Sequence, residues 1–231
     1  MIQDKDTAAW ETMTPEQKRR ELYDRQVELL DTFLEHRAIS QEQHDKSLHD
    51  LTEKMGYGKR NRCGGSMILR SAHSEEAEQC YQFIEDARAY HKSLGFVQWH
   101  PEYPTLQTVT KDIEVGIGYA FTDGAQPFGY CCIVIGDEPA YHEINGAWKT
   151  DRPYAVVHRM AFGAEHRGTG LSRDAFRLIR EYCDQHHIHA IRIDTQGENK
   201  PMQHILQREG FAYCGTVTFD GGPKLAYELD W

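Results

Sequence analysis

The sequence of 231 residues lacks the features that mark several protein classes. Its six cysteines form no C-x-x-C pair and no zinc-like spacing, and most lie in apolar runs such as YCCIVIG. We therefore expect reduced thiols and no bound metal. No apolar run is long enough to span a bilayer, and the first residues, MIQDKDTAAW, lack the pattern of a signal peptide. These absences predict a cytoplasmic protein without a membrane partner.

Positive charge is also scarce. The chain has 26 lysines and arginines against 36 aspartates and glutamates, which gives a formal net charge of -10. Because nucleic acids are anionic, this balance disfavours non-specific nucleic-acid binding. An apolar fraction of 39% is sufficient for a folded core, so the chain is not disordered as a whole.

Two familiar phosphate-binding loops are missing, although glycines precede an amphipathic helix in the stretch EHRGTGLSRDAF. No lysine follows these glycines as in G-x-x-x-x-G-K-[ST], and Gly168-Thr169-Gly170 is not extended to G-x-G-x-x-G. The stretch nevertheless follows an apolar strand, where backbone N–H groups and the helix dipole favour an anion. Arg167 adds a cation and Ser172 a hydroxyl. The alternative is a strand-to-helix turn that merely requires glycine.

Residues 1–55 are predicted to contain a helical hairpin. Thr14 and Pro15 are typical of a helix start, and Ser40 with Gln43 predicts a capping box at the second helix. The apolar residues of the first helix recur at helical spacing: Tyr23, Val27, Leu30 and Leu34, in a stripe widened by Leu22, Leu29 and Phe33. The leucine stripe and the HRAIS turn resemble the short hairpin modules called SHOCT-like.

Two short helices bury little apolar surface alone, so this hairpin must pack on the main domain, a second copy or a partner. We expect it to mediate homodimerisation or to dock a partner. Deletion of residues 1–60 should then change the oligomeric state or solubility more than ligand affinity. Residues 56–66 combine four glycines with a basic cluster and predict a linker, which leaves 67–231 as the main domain.

From residue 67 onward, strand and helix patterns alternate. Helical patterns are SEEAEQCYQFIEDARAYHKSLG, TLQTVTKDIEV, LSRDAFRLIREYCDQHH and NKPMQHILQREG. Strand patterns are MILRSA, GIGYAFT, PFGYCCIVIG, PYAVVHRMAFG, AIRIDTQ, FAYCGTVTF and PKLAYELDW. The segment DEPAYHEINGAWKTDR is predicted to be a loop.

The order of these motifs resembles the GNAT superfamily of acetyl-CoA-dependent N-acetyltransferases over residues 67–231. An HRMAF strand precedes Arg167-x-x-Gly170-x-Ser172 and a helix, and an IRIDT strand precedes a helix that starts at an asparagine and ends at REGF. Ser172 departs from the usual glycine or alanine. The resemblance implies an α/β (α+β) fold: a mixed, mostly antiparallel sheet flanked by helices and splayed between the HRMAF and IRIDT strands.

The resemblance also implies acetyl-CoA as cosubstrate. Its pantetheine arm would pair with the backbone of Met160, Ala161 and Phe162, and Asn199 would reach this arm near the thioester. Its pyrophosphate would lie on the N–H groups of Arg167, Gly168, Thr169, Gly170, Leu171 and Ser172.

Acetyl transfer to an amine needs a neutral nitrogen, a donor for the carbonyl oxygen and a proton for the leaving thiolate. Many family members supply that proton from a tyrosine seven residues after the asparagine, a position occupied here by Leu206. His158 is the first candidate for the general base, because its strand should border both substrates. The alternative is a histidine hydrogen-bonded for structure. Glu143 is the second candidate base.

Together these features predict an N-acetyltransferase that acts by direct attack of a primary amine, on a small molecule or an exposed amino group. The alternative is an acyl-CoA- or CoA-binding module with weak or no catalysis, whose hairpin mediates oligomerisation or docking. A third interpretation is a hydrolase of CoA esters, which would release thiol without any amine.

Overall fold

The computed structural model of the chain describes residues 15–55, 67–167, 169–219 and 221–231. The chain divides into two compact units, residues 1–64 and 65–231. Within the described ranges, no helix has both the length and the apolar character needed to cross a membrane. The predicted cap at Thr14, the linker at 56–66 and the loop residue Gly168 lie outside the described residues.

The first unit contains two helices, α1 (Pro15–Glu35) and α2 (Gln41–Lys54). The capping box before α2 is confirmed, because the Gln43 N–H donates to Ser40 Oγ at 3.2 Å and the Ser40 N–H donates to Gln43 Oε1 at 2.9 Å. Between the helices, Asp31 Oδ1 lies 2.7 Å from Nε2 of the buried His44. The pair of helices therefore has a small polar core beside its apolar one.

The buried stripe of α1 is narrower than predicted. Tyr23 is buried, and the residues that repeat its face are half-buried: Val27, Leu30 and Leu34. Leu22, Leu29 and Phe33 are 42 to 51% exposed, so they do not widen this stripe. Each helical residue advances by about 100°, which places the two sets on different sides of α1. One partner helix covers only one of those sides.

The second unit is built on an eight-stranded sheet, with the order β1-β2-β3-β5-β6-β8-β7-β4. Its strands are β1 (Ile68–Ser71), β2 (Gly118–Thr122), β3 (Pro127–Ile135), β4 (Asn145–Gly146), β5 (Ala155–Phe162), β6 (Ala190–Thr195), β7 (Ala212–Phe219) and β8 (Gly222–Asp230). Every neighbouring pair is antiparallel except β5 and β6, which are parallel. The mixed, mostly antiparallel sheet is therefore confirmed.

Helices cover both faces of this sheet. They are α3 (Ala77–Ser93), α4 (Leu106–Glu114), α5 (Leu171–Gln185) and α6 (Lys200–Arg208). Successive strand side chains point to opposite faces. Tyr119 and Phe121 of β2 join a core that includes residues of α5 and α6, whereas Ala120 joins a core that includes residues of α3 and α4. The strands at the centre of the sheet are consequently buried on both faces, which explains their continuous apolar runs.

The segment predicted as a loop after β3 contains a 3₁₀ turn, Pro139–Tyr141, and the two-residue strand β4. β4 pairs with β7 through a close approach of two glycines, Gly146 and Gly215. A strand of two residues has no periodicity, so the sequence gives no signal for it.

We predict that Gly146→Ala lowers the free energy of unfolding by roughly 1–3 kcal/mol, the range for overpacked sites. A Cβ at this position would overlap the carbonyl oxygen of Cys214, and the φ of +143° already disfavours a side chain. Gly136→Ala is the matched control, because its φ of +128° is also positive but its added Cβ meets no atom within 4 Å. Urea unfolding of both variants tests this, and equal losses would show that crowding at Gly146 is unimportant.

Candidate functional site

β5 and β6 pair at only one end, and this opens a wedge in the sheet. Ala155 and Val156 pair with Ile191 and Arg192 of β6, and the pairing then stops. From residue 157 to 162, the edge of β5 that faces β6 has no strand partner in the described part of the chain. An open strand edge offers N–H and C=O groups to an extended ligand. The splay predicted between these two strands is therefore present.

A cluster of polar side chains lies where the two strands part. His158 and Asp194 each follow the last β5–β6 pair by two residues, and His158 Nδ1 lies 3.8 Å from Asp194 Oδ2. On its other side, His158 Nε2 lies 3.1 Å from Glu138 Oε2. Asp194 accepts from the Tyr141 hydroxyl at 3.0 Å and pairs with Lys224 Nζ at 2.9 Å. We call these five residues the apex cluster.

The apex cluster carries more negative than positive charge when His158 is neutral. The hydrogen bond from His158 lowers the pKa of Glu138 despite its partial burial, so this carboxyl is ionised near neutral pH. Burial raises the pKa of Tyr141 well above its usual value, and its hydroxyl therefore keeps the proton that it donates to Asp194. Two carboxylates beside one lysine favour a cationic group, such as a protonated amine.

The glycine loop, of which residues 163–167 and 169–170 are described, connects β5 with the start of α5. Gly170 is the N-cap of this helix with a φ of +82°, which glycine adopts without a steric penalty. As a glycine, this N-cap residue has no side chain that could cap the helix. Thr169 Oγ1 donates to the carbonyl of His166 at 2.6 Å and so braces the loop internally. Uncapped N–H groups at a helix start form a site for an anion such as a pyrophosphate.

The side chains of Arg167 and Ser172 also have protein partners in the structure. Arg167 Nη2 donates to the Asp86 carbonyl at 3.1 Å, and its guanidinium lies 4.2 Å from the centre of the Tyr90 ring. Ser172 Oγ accepts from Arg208 Nη2 at 2.7 Å. The backbone N–H of Arg167 also donates to the Ala164 carbonyl, at 3.4 Å. A role of either residue toward a pyrophosphate stays a prediction.

Asn199 lies at the N-cap of α6, where both ends of its side chain amide are bonded. Its Oδ1 accepts from the Met202 N–H at 3.2 Å, and its Nδ2 donates to Gln98 Oε1 at 2.9 Å. The same Gln98 oxygen accepts from Thr195 Oγ1 at 3.1 Å and from the Gln196 N–H at 3.2 Å. This buried network fixes the start of α6 at the end of β6. A contact of Asn199 with a cofactor stays a prediction, and sequence reasoning missed Gln98 because no motif surrounds it.

The three predicted backbone ligands lie on β5 beyond an irregularity that the sequence did not predict. Tyr130 pairs with Ala161 and Cys132 with His158, so two steps along β3 oppose three along β5. β5 therefore carries a bulge before Ala161. Met160 and Phe162 are half-buried against the core that includes α5 residues, and Ala161 is buried on the other face.

The structure places the remaining predicted positions in three different environments. His158 lies in the apex cluster, whereas Glu143 is exposed on the segment after Tyr141 and is not among the hydrogen-bonded groups of that cluster. Leu206 is fully buried in the core, so that position offers no proton donor. Sequence reasoning missed Glu138 and Asp194. Asp194 lies in the IRIDT strand two residues beyond the last β5–β6 pair, and only the register of these strands shows this.

A family model described as the acetyltransferase (GNAT) family matches residues 73–211, which is more than half of the chain. The chain belongs to the GNAT acetyltransferase family. A GNAT-family acetyltransferase from Streptococcus agalactiae 2603 is 32% identical, with a TM-score of 0.65, over 71% of this chain and 95% of that chain. This enzyme is therefore an acyltransferase of the N-acetyltransferase type, as predicted.

More distant structures share the fold of this GNAT protein. A GNAT-family acetyltransferase from Listeria monocytogenes 4b F2365 is 18% identical, with a TM-score of 0.57, over 73% of this chain and 97% of that chain. The aminoglycoside acetyltransferase AAC(6')-Ib, solved with coenzyme A and kanamycin, is 20% identical, with a TM-score of 0.53, over 71% of this chain and 95% of that chain. A search among curated proteins gives no match.

Proposed function

We propose that this GNAT enzyme transfers the acetyl group of acetyl-CoA to a primary amine, on a small molecule or an exposed amino group, by direct attack of the amine. The observation that carries the proposal is the open edge of β5 from residue 157 to 162. One end of this edge holds His158, and the other end leads through the glycine loop to the uncapped start of α5. The open strand edge thus runs from His158 toward the proposed anion site at the start of α5.

The residues present fit acetyl-CoA. The open edge at Met160, Ala161 and Phe162 offers backbone donors and acceptors to an extended arm. The amides from Arg167 to Ser172, at the start of α5, are proposed to hold the pyrophosphate. Asn199 is proposed to contact the arm. Acetyl-CoA supplies an acetyl group activated as a thioester. AAC(6')-Ib, which shares the fold, is solved with acetyl-CoA and an aminoglycoside, and this supports the assignment.

The apex cluster is proposed to receive the amine. An amine arrives at neutral pH as an ammonium ion, which the carboxylates of Glu138 and Asp194 attract. His158 then takes a proton from this ammonium ion, which leaves a neutral amine. Glu138, at 3.1 Å, stabilises the imidazolium that forms. Glu143 remains the second candidate for the base.

A cysteine is a poor candidate for a covalent nucleophile here. The five described cysteines are all buried. Burial raises the pKa of Cys80, Cys132 and Cys183 to about 12, so very little thiolate exists at neutral pH. This supports direct attack by the amine over an acetyl-cysteine intermediate.

The alternative is a CoA-binding module with weak or no catalysis. Its support is Leu206, which is fully buried where many relatives place the tyrosine acid. Thiol release from acetyl-CoA, followed with a chromogenic thiol reagent against a panel of primary amines, separates the two. Release that depends on an amine supports transfer, release without amine indicates a hydrolase, and binding without release supports the module.

The hairpin is proposed to mediate homodimerisation or to dock a partner. The exposed Leu22, Leu29 and Phe33 support this, because they lie near one another on one side of α1 and are 42 to 51% exposed. Sedimentation of the full chain and of a chain lacking residues 1–60 tests the proposal. The shorter chain should keep its acetyl-CoA affinity and lose self-association or solubility. Unchanged association with lost cofactor binding would contradict it.

A further inference from the structure

Arg159 has an unusual backbone conformation at the bulge of β5. Its φ is +54°, in the left-handed region that glycine adopts freely and residues with a Cβ avoid. Bulges of this kind commonly place glycine at such a position. A strained residue persists only where its surroundings determine its conformation. The surroundings of Arg159 must therefore hold it in this conformation.

The contacts of Arg159 converge on Asp112 of α4. Arg159 Nε donates to Asp112 Oδ2 at 2.9 Å, and Nη2 donates to Asp112 Oδ1 at 3.0 Å. Both side chains are only 9% exposed. The Tyr130 hydroxyl also donates to Asp112 Oδ2 at 2.9 Å, and Arg159 Nη1 donates to the Tyr103 hydroxyl at 2.6 Å. A bidentate, buried pair of this kind fixes the guanidinium in position and direction.

The bulge decides which groups of β5 face the wedge. Along a regular strand, a shift of one residue turns every following side chain to the opposite face and every backbone group to the opposite edge. The extra residue lies between His158 and Ala161. Without it, the N–H and C=O groups of residues 160 to 162 would change edges relative to His158.

We infer that Asp112 is a positioning residue for acetyl transfer: by holding the Arg159 guanidinium, it keeps residue 159 left-handed and β5 bulged. The inference rests on the proposed function of the open edge. It assigns no contact with substrate to Asp112, which acts through Arg159 and the backbone. Its specific consequence is that glycine at position 159 makes the ion pair dispensable.

Two double variants of the full chain test this, Asp112→Asn/Arg159→Gly and Asp112→Asn/Arg159→Ala. Both lack the ion pair, neither leaves a buried unpaired carboxylate, and they differ only in a Cβ. We expect the glycine variant to keep kcat and the acetyl-CoA Kd within about threefold of the unmodified enzyme, and the alanine variant to lose about tenfold or more in each. Crystal structures of both variants give a test that does not depend on activity. We expect the bulge to remain in the glycine variant and to be lost in the alanine variant.

The control is Glu76→Gln, which breaks the bidentate pair of Arg70 and Glu76 at β1, a strand separated from β5 by β2 and β3. It should lower the melting temperature and leave kcat within about twofold. Equal losses in the two double variants, or a bulge that persists with alanine, would overturn the inference. If the unmodified enzyme fails to bind acetyl-CoA, the proposed function fails, while the two crystal structures still decide whether Asp112 holds the bulge.

Discussion

His158→Ala is expected to lower kcat for acetyl transfer by about 10²- to 10⁴-fold, the usual contribution of a general base. The imidazole lies at the apex of the wedge, with Glu138 3.1 Å from one nitrogen and Asp194 3.8 Å from the other. His158 is the histidine of the five-residue apex cluster, so without it the cluster lacks an imidazole that could take the proton from the amine. The acetyl-CoA Kd should change little, because the proposed cofactor contacts are Asn199 and backbone groups further along β5 and at the start of α5, and none involves the His158 side chain.

Steady-state kinetics with saturating acetyl-CoA, together with calorimetric titration, measures both quantities. His189→Ala is the control, since this histidine is half-exposed and pairs with Asp184 outside the apex cluster. A variant at His158 that keeps its kcat but unfolds at a lower temperature would show a histidine bonded for structure only. In that case Glu143 becomes the first candidate base.

Glu228→Ala is expected to lower the free energy of unfolding by about 3–5 kcal/mol, the cost of breaking a buried ion pair. Glu228 is fully buried and accepts from Arg192 Nε at 3.1 Å. It also accepts from the backbone N–H groups of Lys149 and Thr150 and from the Thr150 hydroxyl. Its removal leaves the Arg192 charge buried and frees the segment after β4.

Urea denaturation of the variant measures this loss. Glu181→Ala is the comparison, because it breaks an exposed pair with Arg177 and should cost less than about 1 kcal/mol. A loss at Glu228 no larger than the loss at Glu181 would mean that the buried carboxylate contributes little, and that the segment after β4 is held by the Trp148 and Tyr154 rings against Arg192.

The fold could be predicted because its signals are local in the sequence. The HRMAF and IRIDT strands, the glycine loop and the asparagine at the start of α6 all appear in short stretches. Their order resembles the GNAT family, and this resemblance implied the splayed sheet. The capping box at Ser40 is local as well. The predicted width of the buried stripe on α1 was wrong, because sequence spacing alone does not say how many partner helices cover a helix.

The chemistry of the wedge depends on long-range contacts that no short stretch contains. The ion pair that we infer to hold the bulge joins Arg159 and Asp112, which are 47 residues apart. Glu138 and Glu143 lie five residues apart in one segment, and only the 3₁₀ turn at Pro139–Tyr141 places the former against His158. Asp194 lies opposite His158 only because of the register between β5 and β6, which the sequence does not show.

Calorimetric titration of acetyl-CoA into the purified protein, without any amine, tests the central claim most directly. The open edge of β5 and the uncapped start of α5 predict saturable binding of one acetyl-CoA per chain with a micromolar Kd, equivalent to about -8 kcal/mol. Absence of binding at millimolar acetyl-CoA would mean that the glycines serve only as a turn, and the proposed acetyl transfer would be contradicted.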